Sequence, residues 1–363
     1  MSSVRLAYFA LDLPHKGQAS YVHITEIVEN LRKLGWQVDL FAPEPAPRAE
    51  GSGIRIGAYI RTIRKAIAAL PEYDALYVRS HLLAWPVTLA AHRRNMPVLQ
   101  EVNGTEKDVI VSHSWLKPFH PLVRWLYSSQ FQASDHLLPV THQLAGWLGT
   151  MASQRRVTMI SNAANTDLFR PLPRVGRDPF VVFFGGLTEW HGVDVMIDAV
   201  AHRNWPANVR LVIIGAGAKQ QSVQQAIAAG LPVEWLGQKP YEEVPALIAG
   251  ALAGLIPITN PQGRSSTGVL PLKLYETLAC GIPAVVSDLP GQADLVRQGE
   301  CGAVVPCGDA VALANAVAGL AADPAKAEEM GRRGAALVQT DHSWAARARE
   351  IDRILRQELA AKV

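Results

Sequence analysis

The chain has 363 residues, 49% of them hydrophobic and 18% charged, with a formal net charge of +3. That length and balance fit a globular protein of two domains and exclude a disordered chain. The charge is too small to argue for nucleic acid as a partner, and no run of about 18 apolar residues is present to span a membrane.

The opening "MSSVRLAYFALDLPHKG" has no long apolar core of the signal-peptide kind and reads as a first strand, so a cytoplasmic protein is expected. From there short β-rich runs alternate with helix-period segments, the pattern of a parallel α/β architecture. In the first half the strands are expected in "RLAYFAL", "QVDLFAP", "ALYVRS", "PVLQEVN", "HLLPVT" and "RVTMIS". Between the first two, Val22, Ile27, Val28, Leu31 and Leu34 share one helical face, and Gly35 marks its stop. The stretch 51–71 contains no acidic residue. In it, Arg55, Arg61, Arg64 and Lys65 alternate with Ile60, Ile63 and Ile67. A basic amphipathic helix over 55–67 suits an anionic membrane surface or a lipid-linked acceptor, or is simply a solvated face. "HSWLKPFHPLVRWLYSSQF" adds Trp115, Phe119, Trp125 and Tyr127, a second interfacial element or a packed hairpin.

"DLFRPLPRVGRDPF" is a Pro-, Arg- and Gly-rich linker near 168–179. Beyond it strands are expected in "FVVFFGG", "RLVIIGAG", "VEWLG", "AGLIPIT", "PAVVSD" and "GAVVPC", and a closing helix over 343–361. The domains are therefore set at 1–168 and 169–342, with 343–363 packing back on the first. Two parallel-sheet domains with a cleft between them place ligands at the carboxyl ends of strands. Arg79, His81, Glu101 and Asn103 lie at such ends. Glu101 is the candidate for an acceptor or sugar site, with pairing to Arg79 as the alternative.

The glycines do not make a dinucleotide fingerprint. Gly215-Ala-Gly217 follows a strand, but Gln220 stands where a third small residue is required, and no G-x-x-x-x-G-K-[ST] occurs. Cys280, Cys301 and Cys307 have neither C-x-x-C nor zinc spacing, and no D-x-D appears, so no metal site and no cofactor are expected. More informative is "STGVLPLKLYETLACGIPAVVSD", residues 266–288. Pro271 suits the first position of a helix and Gly281 its stop, giving a helix over 271–280. Leu270 offers no capping oxygen, and Lys273 is a cation in the turn where the macrodipole is already positive. A bound anion would reconcile these features.

The segments "VVFFGGLTEWHGVDVMIDAV", "LVIIGAG", "VEWLGQKPYEEVPALIAGALAGLIP" and "LPLKLYETLACGIPAVVSD" stand in the order found in retaining glycosyltransferases of family 4. "ITEIVENLRKLGWQVDLFAP" and "VTMISNAANTDLFRP" extend the resemblance over nearly the whole chain. The resemblance implies the GT-B fold: two facing Rossmann-like domains, with a nucleotide-sugar donor held mainly by the second. It implies transfer of a sugar to a carbohydrate, lipid-linked or small-molecule hydroxyl, with retention and without a metal. A GT-B epimerase or hydrolase, or a weakly catalytic donor-binding subunit, is the alternative.

By the same resemblance Glu276 matches the second glutamate of the family's paired acids, which holds the donor ribose. Its bland reading is an i,i+3 pair with Lys273. Where the first glutamate usually stands this chain has Gly268, flanked by Arg264, Ser265, Ser266 and Thr267 on one side and Val269 and Leu270 on the other. The usual arginine and lysine facing the donor diphosphate are replaced by Gly186 and His191. Lys273 and Arg264 are expected to supply the lost charge, with His191 as a third group or a loop histidine bonded to backbone. Gly237, Gln238 and Lys239 match the loop that cradles the base, or form a plain turn. Gly17 gives close backbone approach to the phosphates, or a turn. Asn103 stands where the family often has a first-domain histidine.

Overall fold

The computed structural model describes residues 4–12, 18–44, 52–152, 155–173, 178–259, 263 and 267–362. The chain divides into two units, 1–161 with 344–363, and 162–343. In the first, the order is β1 (Arg5–Phe9), α1 (Ala19–Lys33), β2 (Gln37–Phe41), α2 (Ser52–Ala69), β3 (Ala75–Arg79) and α3 (Trp85–His92). It continues with β4 (Val98–Val102), α4 (Glu106–Ser112), α5 (His120–Gln132), β5 (His136–Pro139), α6 (His142–Met151) and β6 (Arg156–Val157). The second unit begins β7 (Phe180–Phe184), α7 (Val193–Ala201), β8 (Arg210–Ile214), α8 (Gln220–Ala228), β9 (Val233–Gly237) and α9 (Val244–Ile248). It ends with β10 (Ala253–Ile256), α10 (Leu272–Ala279), β11 (Ala284–Ser287), α11 (Gln292–Gln298), β12 (Gly302–Val305), α12 (Ala310–Ala322) and α13 (Pro324–Asp341). Helix α14 (Trp344–Ala360) returns to the first unit.

Each unit holds one six-stranded parallel sheet, ordered β2-β1-β3-β4-β5-β6 and β12-β11-β10-β7-β8-β9. Every strand run expected from the sequence carries a strand. "RVTMIS" shrinks to the two exposed residues of β6, which pair only with β5 at the sheet edge. The central strands are buried on both faces, as β7 "FVVFF" is throughout, because helices cover both sides of a parallel sheet. The strand order reverses between β1 and β3 in one sheet and between β7 and β10 in the other. Such reversals open a crevice at the strands' carboxyl ends where ligands bind.

The boundary falls between Ser161 and Asn162, ahead of the junction expected at 168/169. Ala164 forms a bridge with Ser343, and Phe169, fully buried, packs on Tyr241 with ring centroids 5.1 Å apart. The residues just before the proline-rich segment thus belong to the second unit. In the first unit α14 packs on α1 through buried Ile351, Ile354 and Leu355. Trp36 Nε1 donates to Asp352 Oδ1 at 2.6 Å, and His136 Nδ1 lies 3.0 Å from Glu358 Oε1.

Candidate functional site

Helix α10 begins one residue later than the sequence suggests. Pro271 is extended (φ −70°, ψ 148°), so it caps the helix rather than opening it, and its side chain offers no bond to the first-turn amides. The segment ahead is pinned by Val269, whose N–H donates to Pro290 O at 2.8 Å, and by Asn162 Nδ2, which donates to Leu270 O at 2.7 Å. All eight residues of α10 are buried. Lys273 is 9% exposed, and its Nζ has no hydrogen-bond partner among the described residues. The ammonium lies 4.1 Å above the Phe183 ring, a contact that offsets part of its lost hydration. Burial pulls its pKa down to about 7, against the attraction of Glu276.

Lys273 reaches the turn that ends β7, at the reversal in strand order. A Cβ built on Gly185 (φ +127°) would stand 2.9 Å from Nζ, so only a glycine leaves that space open. On the other side of the same turn, His191 Nδ1 lies 2.6 Å from Gly186 O and 3.1 Å from Thr188 Oγ1. A carbonyl can only accept, so Nδ1 carries the proton and donates. The loop-histidine reading is therefore what the geometry gives, and it places the imidazole beside Gly186. Gly186, His191 and Lys273 are brought together around one turn.

Glu276, 4% exposed, accepts from Tyr241 Oη at 2.7 Å. Tyr241 opens the short turn after β9, so it ties Glu276 to the loop 237–240. Gly237 (φ +71°) accepts from Gly215 N–H at 2.8 Å, while Gln238 and Lys239 are exposed. Gly268 has φ +85°, a conformation in which a side chain is strained, so a glutamate placed there would need a different backbone. Thr267 is half-buried beside it. Gly17, Arg264, Ser265 and Ser266 lie outside the described residues.

In the first unit, sheet register explains the surroundings of Glu101. It is the direct partner of Arg79 across β3 and β4, and Tyr77 pairs with Tyr8 across β3 and β1. Glu101 is 2% exposed and saturated with donors: Tyr77 Oη and His23 Nε2 each lie 2.8 Å from Oε2, and Arg79 binds Oε1. Arg79 also binds Asp12, joining the ends of β1 and β3 where the strand order reverses. Burial alone would push the Glu101 carboxyl up. The His23 and Arg79 charges outweigh it and hold the group well below the ordinary carboxylate range. The pairing alternative is realised, and a permanently ionised carboxylate is poorly suited to moving protons. His81 caps the next turn through Leu83 N–H at 3.1 Å. Asn103 Nδ2 is buried with no partner among the described residues, as is Oε2 of nearby Glu106, whose Oε1 takes Arg124 at 3.1 Å.

Sequence reasoning passed over Phe183, Tyr241, His23, Tyr77, Asp12 and Glu106. Tyr241 directly follows the loop singled out as the base cradle, and Asp12 directly follows the first strand; position was the available signal. For Tyr77 and His23 only strand register and helix packing reveal the contact.

Comparison with known proteins agrees with this architecture. Residues 21–168 match the family model described as Glycosyltransferase Family 4, and residues 165–337 the one described as Glycosyl transferases group 1. A phosphatidyl-myo-inositol mannosyltransferase from Mycobacterium leprae is 26% identical over 95% of this chain and 94% of its own. An alpha-maltose-1-phosphate synthase from Mycolicibacterium smegmatis is 29% identical over 89% of this chain and 91% of its own. A sucrose-phosphate synthase from Thermosynechococcus elongatus superposes with a TM-score of 0.77 at 20% identity, covering 99% of this chain and 100% of the other. The fold is that of GT-B enzymes. The chain is a glycosyltransferase related to family 4.

Proposed function

We propose that the protein moves a glycosyl group from a nucleoside-diphosphate sugar to an acceptor hydroxyl, with retention at the anomeric carbon and without a metal ion. The observation that carries this reading is Lys273: a buried ammonium with no hydrogen-bond partner among the described residues, at a helix N-terminus whose cap residue, Pro271, gives no side-chain bond, beside a glycine turn at the strand-order reversal. Free amides and a desolvated cation are what a departing diphosphate requires. The bond from the anomeric carbon to the diphosphate oxygen breaks, and the acceptor oxygen bonds to that carbon on the same face. The acceptor's proton passes to the leaving phosphate, so no protein base is consumed. Glu276 takes the ribose hydroxyls, held in place by Tyr241, and Gly237, Gln238 and Lys239 lie next to the base. Gly186 and His191 flank the diphosphate. Glu101 orients the end of β4 rather than moving a proton, and Asn103 offers its unpaired amide to the acceptor. The acceptor is a carbohydrate or a lipid-linked glycan, a reading supported by relatives named as a phosphatidyl-myo-inositol mannosyltransferase and an alpha-maltose-1-phosphate synthase.

The test is thermal unfolding with UDP, GDP and ADP and their sugars. A true donor at about a hundred times its dissociation constant adds about 2.7 kcal/mol. That gain is expected with chelator present and is reduced in Lys273→Met. No gain from any member of the panel would overturn the donor site.

A further inference from the structure

Resting on the glycosyl-transfer reading, we propose that Asn103, Glu106 and His120 form a subsite that selects a neutral polyol. The ligand is a hexose or similar ring presenting neighbouring hydroxyls, and acceptors charged at that point are rejected. Three polar atoms there are buried and without a hydrogen-bond partner among the described residues: Asn103 Nδ2, Glu106 Oε2 and His120 Nε2. Glu106 itself is 1% exposed. Native interiors rarely leave such groups unpaired, and an oxygen of a carboxylate is among the costliest to strand.

The three meet at the carboxyl end of β4. Asn103 and Glu106 stand on either side of the turn from β4 into α4. Asp108 Oδ2 closes that turn by accepting from Thr105 N–H at 2.7 Å and from Thr105 Oγ1 at 3.0 Å. His120 and Arg124, one turn apart at the start of α5, come to the same carboxylate. Arg124 Nη1 donates to Glu106 Oε1 at 3.1 Å, and His120 Nε2 stops 3.8 Å from that oxygen, beyond hydrogen-bond reach. Arg124 thus orients Glu106 and leaves Oε2 as the open acceptor. The hydroxyl of buried Tyr127, also on α5, is held well above the usual tyrosine range, first by burial and then by the charges of Asp108, Glu106 and Asp12. All three carboxylates are therefore within electrostatic reach of one ring.

Two properties of this set choose the ligand. The Asn103 amide nitrogen only donates and a carboxylate oxygen only accepts, while an imidazole nitrogen does either. A hydroxyl both donates and accepts, so two neighbouring hydroxyls satisfy the whole set. A carboxylate or phosphate would suit Asn103 and be repelled by Glu106, and an ammonium would suit Glu106 and oppose the Asn103 amide. Charge also stands against anions, because Asp12, Glu101, Glu106 and Asp108 outnumber the guanidiniums that pair with them, Arg79 and Arg124. A site distinguishes ligands by what it repels as well as by what it holds.

Saturation-transfer NMR of the full chain tests the subsite with the methyl α-glycosides of glucose, mannose and galactose, with glucuronic acid and with glucosamine. At least one neutral glycoside is expected to bind, about tenfold or more tighter than either charged sugar. Glu106→Gln puts a donating amide where the accepting oxygen was, so glucuronic acid gains and the preference over it falls to about threefold or less. Asn103→Leu weakens the neutral glycoside by about tenfold. A side chain that served only the fold would alter stability and leave the preference among sugars unchanged. Nucleoside-diphosphate binding is read on the same samples: its absence refutes the donor site whatever the sugars do, since their binding is measured without nucleotide. The subsite is refuted if no neutral glycoside binds the parent at high millimolar concentration, or if a charged sugar binds it equally well. It is refuted too by a preference unchanged in folded Glu106→Gln, or an affinity unchanged in Asn103→Leu.

Discussion

Lys273 carries a measurable proton signature. Burial lowers its pKa from the ordinary 10.5 to about 7, with Glu276 opposing part of the shift. At 1.36 kcal/mol per unit, the charged form is disfavoured in the free protein by about 5 kcal/mol. The folded state then binds fewer protons than the unfolded chain between the two values, so this group's contribution to stability rises with pH from about 7 to 10.5 and is least favourable below that window. An anion at the α10 N-terminus reverses the shift, and binding takes up a proton. A group titrating near 7 is about one-tenth charged at pH 8, so uptake there is about 0.9 proton per ligand, against about 0.5 at pH 7 and about 0.1 at pH 6. Affinity for a nucleoside diphosphate falls accordingly, approaching about tenfold per pH unit above pH 8. Calorimetry in buffers of different ionisation enthalpy reads the uptake directly, and a His191→Gln background removes the neighbouring imidazole. Lys273→Met keeps most of the bulk and is expected to abolish the uptake and flatten the profile. Negligible uptake at pH 8 in the parent, or uptake that survives in Lys273→Met, refutes placing the anion beside this lysine.

Tyr241→Phe removes the donor to Glu276 Oε1 and is expected to weaken nucleoside-diphosphate binding by about 1 kcal/mol while leaving its pH slope unchanged, which titration calorimetry checks. Glu101→Gln strips the charge from between Arg79 and His23 and is expected to cost about 3–5 kcal/mol in urea unfolding. Because that carboxyl's pKa is depressed on folding, its contribution is complete above its ordinary value of 4.5 and declines as pH falls below it, so the variant's deficit shrinks in acid. Gly268→Ala places a side chain at φ +85° and is expected to lose about 1–2 kcal/mol by thermal unfolding. Transfer activity, once a donor is identified, is expected to persist in EDTA; its loss and recovery with Mg²⁺ would contradict a diphosphate held by helix amides and Lys273.

Most of the fold was legible because the strands are short, β-branched or aromatic, and separated by helix-period segments, so the alternation survives without any knowledge of contacts. The start of α10 was misplaced by one residue because a proline suits both the cap and the first turn, and only its ψ decides. The domain junction was misplaced because composition marks the proline-rich stretch, while the division follows packing, here of Ala164 on Ser343 and Phe169 on Tyr241. Lys273 stood out in sequence as a local contradiction between charge and dipole. Its contact with Phe183 did not, since those residues are joined only by the meeting of α10 with the end of β7. The Glu101 network was half legible: strand-end position suggested Arg79, but His23 and Tyr77 depend on register and on which face α1 covers.

The return of α14 to the first unit has a consequence for biosynthesis. A chain leaves the ribosome from its N-terminus, yet the first unit lacks the helix that covers α1 until residues 344–360 have been made. The second unit, continuous from Asn162 to Ser343, can fold while the first is still incomplete. During that interval the surfaces of α1 and β5 that later bury Ile351, Ile354 and Leu355 and bind Glu358 are open to solvent and to chaperones. The half made first is thus the half completed last, and its nascent form is where quality control would meet exposed apolar surface.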